Sequence, residues 1–336
     1  MQPAVFRTRL TEMFGVRHPL FVGGMMSHSK AAFVAACARA GAMAFMTPKS
    51  YDSPEAFREG LVQCIDLAEG APVGVNFSIS RFRSNEMNDQ CLQIAIDHGI
   101  TRFETAGSHP GEMIARVHDA GGVLIHKSTQ VRHAVKAAEG GVDALILVGM
   151  EAGGHPGINP HPGHVLLSNL LGEVDVPVAL GGGIGTGRQL VGALAQGAAA
   201  AVVVTRFLVA REIEVHENYR ARMVEAGMDD TLAVLHTLKD TWRVLRNATS
   251  EAVWQKEFEM AGRATRADFG EVLMGHYART HAYAGGDMDR GLMSCSAAIA
   301  HARAVQGAEE IVDGMMAEAR DAATALQACI LPVAPG

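Results

Sequence analysis

Eight short apolar runs recur along residues 18–207, each closed by a glycine or polar residue and each followed by a helix-like segment or a loop. Runs this short suit buried parallel strands, and parallel strands need crossovers long enough to hold a helix. The runs fall at 18–24, 42–47, 71–77, 101–105, 123–127, 143–148, 178–183 and 199–204. Helices are expected at 30–39, 53–69, 85–98, 112–120, 131–139 and 187–196, the second opened by Ser53-Pro54 as a cap followed by a first-turn proline. Eight such units predict an α/β fold of the (β/α)8 TIM barrel type. A doubly wound open sheet is the competing topology, but the count is eight and no G-x-G-x-x-G follows the first run.

Beyond Glu212 the alternation stops. Residues 212–270 are rich in charge and methionine and are expected to be helical, and the glycine-bearing stretch 283–296 is expected to return to the barrel mouth. An amphipathic helix over 308–328 would close the outer ring. The expected organisation is therefore a barrel over 1–212, a mainly helical cap inserted after the eighth strand over 213–300, and a C-terminal helix over 301–336 that returns to the barrel.

Composition narrows the partners. A formal charge of -7 and a pI near 6.1 leave no broad basic surface for nucleic acid or an anionic membrane. No uncharged apolar run reaches the roughly 18 residues that a membrane span needs. Five cysteines are widely spaced without C-x-x-C, which fits a reducing cytoplasm rather than a disulfide framework. A small-molecule substrate and a second copy of the chain, as a homodimer, are the expected partners.

Barrel enzymes work at the C-terminal ends of their strands, and the loops after the seventh and eighth strands often hold phosphate. Here Gly181-Gly182-Gly183 precedes the helix at 187–196, whose N-terminus could face an anion, and the eighth run ends in Val204-Thr205-Arg206. After the sixth run the loop GMEAGGHPG (149–157) presents His155, an imidazole able to take a proton or hydrogen-bond a developing anion. Lys127 ends an otherwise apolar strand, where a buried ammonium needs an anionic partner. His155, His161 and His164 lie close together in sequence, yet prolines interrupt them and no carboxylate or cysteine completes a set, so no metal site is expected. Cys295 has no adjacent base, and Met25, Met26, Met288 and Met293 suit either a pliable pocket or the core.

The segments FRTRLTEMFGVRHPLFVGGMM, APVGVNF, GMEAGGHPG and ALGGGIGTGRQLVGALAQGAAAAVVVTRFL resemble the nitronate monooxygenase family, also called 2-nitropropane dioxygenases. The opening segment, with IHKSTQVRHAVKA and TWRVLRNATS, is most similar to its FMN-dependent NADH:quinone reductase branch. The resemblance implies FMN at the barrel mouth, its phosphate near Gly182, Gly183, Val204 and Thr205 and its ring near Gly24, Met25, Met26, Asn76, Lys127, Val148 and Gly153. It also implies that His155 is catalytic, and either that a nitronate gives electrons to FMN, which oxygen reoxidises, or that NADH or NADPH gives them and a quinone receives them. FMN-dependent enoyl-thioester reductases share the GMEAGGH loop, which makes an acyl thioester the alternative substrate. A flavin-less barrel that only binds is the alternative from another class. Val204 stands where the family carries glycine, while Val148 and Met26 stand where it carries polar residues, so these three positions are expected to weaken the hold on FMN.

Overall fold

The computed structural model describes residues 6–80, 85–158 and 160–330, so Asn159 and part of the loop after the third run lie outside the described residues. Its centre is a closed barrel of parallel strands: β1 (Leu20–Val22), β2 (Met43–Met46), β3 (Gly74–Ile79), β4 (Arg102–Gly107), β5 (Val123–Ser128), β6 (Ala144–Val148), β7 (Val178–Gly181) and β8 (Ala200–Val203). Each strand pairs with the next, and β8 closes on β1 in the register Phe21↔Val202. Around it run α2 (Ala31–Arg39), α3 (Pro54–Leu67), α4 (Glu86–Asp97), α5 (Met113–Asp119), α6 (Val131–Glu139), α7 (Gly163–Leu170) and α8 (Gly187–Ala195), with α1 (Arg9–Phe14) ahead of the first strand. All eight expected strands are present. Helix α7 was not foreseen, because the glycines and prolines of residues 153–163 read as loop.

The barrel interior is packed rather than hollow. Phe21, Met43, Phe45, Ile125, Ile146 and Val202 fill it, with the small residues Ala144, Ala179 and Ala200 facing the aromatic side. Helix α1 plugs the N-terminal end: the Phe14 ring meets Phe21 edge-on at 5.1 Å, and Arg102 Nε donates to the Phe14 carbonyl at 2.8 Å. Burying one such phenylalanine is worth roughly 2–3 kcal/mol. With that end closed, only the C-terminal mouth is open to a ligand.

After β8 a 3-10 turn (Thr205–Phe207) leads to the cap. It holds α9 (Glu217–Glu225), an antiparallel hairpin of β9 (Thr231–Val234) and β10 (Trp242–Leu245), then α10 (Ala248–Glu259), α11 (Arg266–Phe269), α12 (Gly275–Ala278) and a π-helical turn. The hairpin corrects the expectation of helix throughout 212–270. TLAV and WRVL are short apolar runs separated by a turn, and they pair because Val234, Leu235 and Val244 share a small core with Val253, Phe269 and Leu292. The last helix, α13 (Ala308–Ala328), packs on α8 and α2 and closes the outer ring over the expected residues. No helix among the described residues is long and apolar enough to cross a membrane.

Candidate active site

Two chambers open at the barrel mouth. One, of about 190 Å³, is lined among others by Val148, Gly182, Gly183, Thr205 and His155. The other, of about 240 Å³, lies toward the cap between Gly24, Met25, Met26, Leu208, Trp242 and Leu292. They share Lys127, Gly153, Val204 and Ser294 and so form one cleft. Neither alone reaches the roughly 300 Å³ of a drug-sized ligand pocket, but together they exceed it. A larger hollow of about 850 Å³ between α6 and α7 is an open outer groove that takes in none of the strand-end residues except the loop residue His161.

Nearly every site residue expected from the sequence lines this cleft. Asn76 does not; it is buried under the rim, where a Cβ on Gly24 would stand 2.5 Å from the Asn76 Cβ. Beside it the Thr47 hydroxyl is buried without a partner.

On the barrel side, Gly182 and Gly183 take φ angles of +109° and +67°, and a Cβ on Gly183 would stand 2.8 Å from Glu151. Glycine is needed here to turn the chain, and the turn leaves the backbone amides of Gly183 and Ile184 without an acceptor among the described residues. The Thr205 hydroxyl accepts from the Ser296 amide (3.2 Å) and hydroxyl (2.9 Å), which leaves its own hydrogen to donate. Near the N-terminus of α8 two amides are taken within the chain: Gly185 donates to Gln189 Oε1 at 2.8 Å and Gly187 to Glu318 Oε2 at 2.9 Å. Arg206 turns away from the cleft and donates to Gln306. Val148 and Val204 pack on top of the interior cluster, so their side chains form an apolar floor beside Val202. Met26 sits at the outer rim, against Gly275.

Lys127 finds its anion inside the barrel. Its Nζ lies 2.5 Å from Oε1 of Glu104, a wholly buried side chain whose Oε2 accepts from the Gly24 amide at 2.9 Å. Strand parity aims both side chains inward. Glu104 escaped the sequence reading, although the signal that exposed Lys127, a charge in a predicted strand, was there too.

On the cap side, β10 docks directly on the loop after β6. Gly154 and Arg243 exchange backbone hydrogen bonds of 2.9 and 2.7 Å, and Leu245 donates to Met293 of the returning loop at 2.8 Å. A Cβ on Gly153 would stand 2.6 Å from the Cys295 carbonyl carbon, so part of the glycine content of this loop serves its packing. The bridge brings His155 against two residues not foreseen from the sequence, Asp240 and Trp242, the second held by Ser294. The Nδ1 of His155 lies 3.2 Å from Asp240 Oδ1, its ring stacks on Trp242 at 4.8 Å, and Trp242 Nε1 donates to Ser294 Oγ at 2.9 Å. The other Asp240 oxygen pairs with Arg266. Burial pushes the Asp240 carboxyl up, but His155 and Arg266 together outweigh it and hold it below the usual carboxylate range.

The remaining candidates separate cleanly. Cys295 is buried, which pushes its thiol up to about 12 and leaves it inert. His161 lines the outer groove and His164 is exposed on α7; among the described residues no group of metal-binding side chains assembles. Glu151 caps α7, both oxygens accepting from the Gly163 amide at 3.1 Å. His28 lies in the wall of the cap-side chamber, its ring tilted against Tyr283 with centroids 4.5 Å apart, and burial lowers its pKa to about 4.

A parallel barrel whose mouth joins free amides and a hydroxyl to an apolar room is the architecture of a cofactor-using barrel enzyme. The chain belongs to the nitronate monooxygenase family, whose model matches residues 7–318. It is 32% identical over 248 residues to a Mycobacterium tuberculosis protein named (3aS,4S,5R,7aS)-5-hydroxy-7a-methyl-1-oxo-octahydro-1H-indene-4-carboxyl-CoA dehydrogenase, a match covering 73% of this chain and 68% of the relative. A Neurospora crassa nitronate monooxygenase is 29% identical over 271 residues, covering 72% and 69%. The structure of FabK from Thermotoga maritima superposes with a TM-score of 0.86 at 26% identity, over 97% of this chain and 100% of that one. The protein is an oxidoreductase of a flavin-dependent family.

Proposed function

We propose that the protein is an FMN-dependent oxidoreductase of the NAD(P)H:quinone reductase or nitronate monooxygenase kind, with His155 as its proton-handling group. The observation that carries this reading is the continuity of the cleft, anion-binding amides at one end and an apolar room at the other, joined at Lys127, Gly153, Val204 and Ser294. Gly182, Gly183 and Thr205 would hold the phosphate of FMN, and Gly24, Met25, Lys127, Val148 and Gly153 would surround its ring. Bound there, FMN would supply electron transfer from a nicotinamide to a quinone, or from a nitronate to oxygen. The chain's own residues do the rest. The amides of Gly183 and Ile184 and the Thr205 hydroxyl give uncharged donors to an anion. Lys127, neutralised in part by Glu104, keeps a positive charge beside the ring without stranding it in the core. Val148, Val202 and Val204 keep water from the floor, while Met25, Met26, Leu208, Trp242 and Leu292 offer a flat, apolar berth.

An acyl thioester is the second reading, favoured by the mycobacterial relative, whose name is that of a carboxyl-CoA dehydrogenase. Anaerobic reduction of the flavin is tried with NADH, NADPH and a nitronate as donors, and the reduced flavin is then offered a quinone, oxygen or an enoyl thioester. Reduction by a nicotinamide with fast reoxidation by the quinone, or reduction by the nitronate with reoxidation by oxygen, supports the first reading, and reoxidation by the thioester alone supports the second. A protein that neither a nicotinamide nor a nitronate reduces contradicts both.

A further inference from the structure

We propose that Asp240, in the turn of the cap hairpin, is the positioning residue that fixes His155 as a proton acceptor, so that the cap completes the barrel's catalytic group. This rests on the proton-handling role given to His155 above and adds how that role is set.

A carboxylate only accepts hydrogen bonds, so at 3.2 Å from Asp240 the His155 Nδ1 carries the hydrogen. In the neutral ring this leaves the lone pair on Nε2. When Nε2 takes a proton from a substrate O–H or C–H, the electron pair of the broken bond stays on the substrate. The ring becomes imidazolium, and the Asp240 charge balances it. Nε2 is thereby an acceptor in the resting state and a donor only after it has been loaded.

The surroundings hold that assignment. Arg266 engages the second Asp240 oxygen, which stops the carboxylate from rotating away. Trp242 covers one face of the imidazole and is itself tied to Ser294. An aspartate needed only to brace the hairpin could give both oxygens to Arg266 in a fork; here one is turned to His155 instead. The other charges near the ring do not compete. Lys127 shares its chamber but is paired with Glu104, and the Arg243 guanidinium points to Thr231 at 3.2 Å.

Trp242 gives a readout that does not depend on turnover, because a protonated imidazole stacked on an indole quenches its fluorescence. The chain has two tryptophans, so the holoenzyme carrying Trp254→Phe reports Trp242 alone. In this background the pH midpoint of quenching should move down when Asp240→Asn removes the countercharge. The same substitution should lower kcat on the order of 100-fold with KM changed less than about threefold. Asp240→Glu should recover part of both. His155→Ala, which should abolish the titration, identifies the signal. An unmoved midpoint in Asp240→Asn overturns the pairing, and a moved midpoint with unchanged kcat, while His155→Ala remains slow, overturns the positioning. If His155→Ala itself turns over normally, the proton-handling role fails, and the fluorescence still decides whether the pair exists.

Discussion

On the barrel side of the cleft most wall residues arrive at or just after the end of a strand, whereas on the cap side the wall is assembled from β10, α12 and a returning loop. The first kind of wall is fixed by a closed sheet whose interior is already full, so a side chain there can be placed by parity alone. The second kind depends on a two-residue backbone bridge between Gly154 and Arg243 and on one shared carboxylate, Asp240. On the proposed function, the barrel half holds the cofactor still and the cap half steadies His155. Damage to the first should appear as lost stability or lost cofactor, and damage to the second as lost rate with the fold intact.

The largest effect expected from breaking that division is in the barrel. Lys127→Met would leave Glu104 wholly buried with, among the described residues, the Gly24 amide as its remaining partner, at a cost of about 3 kcal/mol or more in urea unfolding. A loss below about 1 kcal/mol would mean that Glu104 does not need its ammonium.

Next is Val204, where the family carries glycine. Its side chain packs on the barrel interior at the floor of the chamber that Gly183 and Ile184 also line. Val204→Gly should therefore cost about 2 kcal/mol of stability while changing FMN affinity less than about threefold. A much tighter hold on FMN in that variant would show that the branched side chain does obstruct it.

Smaller still, per pH unit, is the effect of the buried imidazoles. Burial lowers His28 and His126 from an ordinary 6.5 to about 4. Between these values the unfolded chain binds protons that the folded one refuses. The stability they contribute is complete above about pH 6.5 and is lost as pH falls toward 4, at roughly 1.4 kcal/mol per pH unit for each group. Urea unfolding across pH 4–7 measures the slope, and His28→Phe should remove one share of it. A slope unchanged by that substitution would show that the His28 environment is not set by burial.

The same division explains what the sequence made legible. Strands ending in glycine or a polar residue, spaced around a barrel, announce themselves by local pattern, and so the barrel and the residues lining its mouth could be anticipated. Lys127 was visible as a charge in an apolar run, and its partner Glu104 obeyed the same rule unnoticed. Asp240, Trp242 and Ser294 carry no local signal, because an aspartate in a turn and a serine in a loop are ordinary surface residues until tertiary pairing sets them around His155. Gln189 and Glu318 show the reverse case. The helix after a glycine-rich turn is the usual place for an anion, and here the chain's own side chains take two amides near its start.

The central claim is that the cleft holds a flavin between the amides of Gly183 and Ile184 and the apolar room under the cap. The visible absorption spectrum of the protein as purified tests it most directly. The account predicts flavin bands that persist through gel filtration, or that return on adding FMN and weaken in Gly183→Val. A colourless protein that FMN does not reconstitute would contradict it.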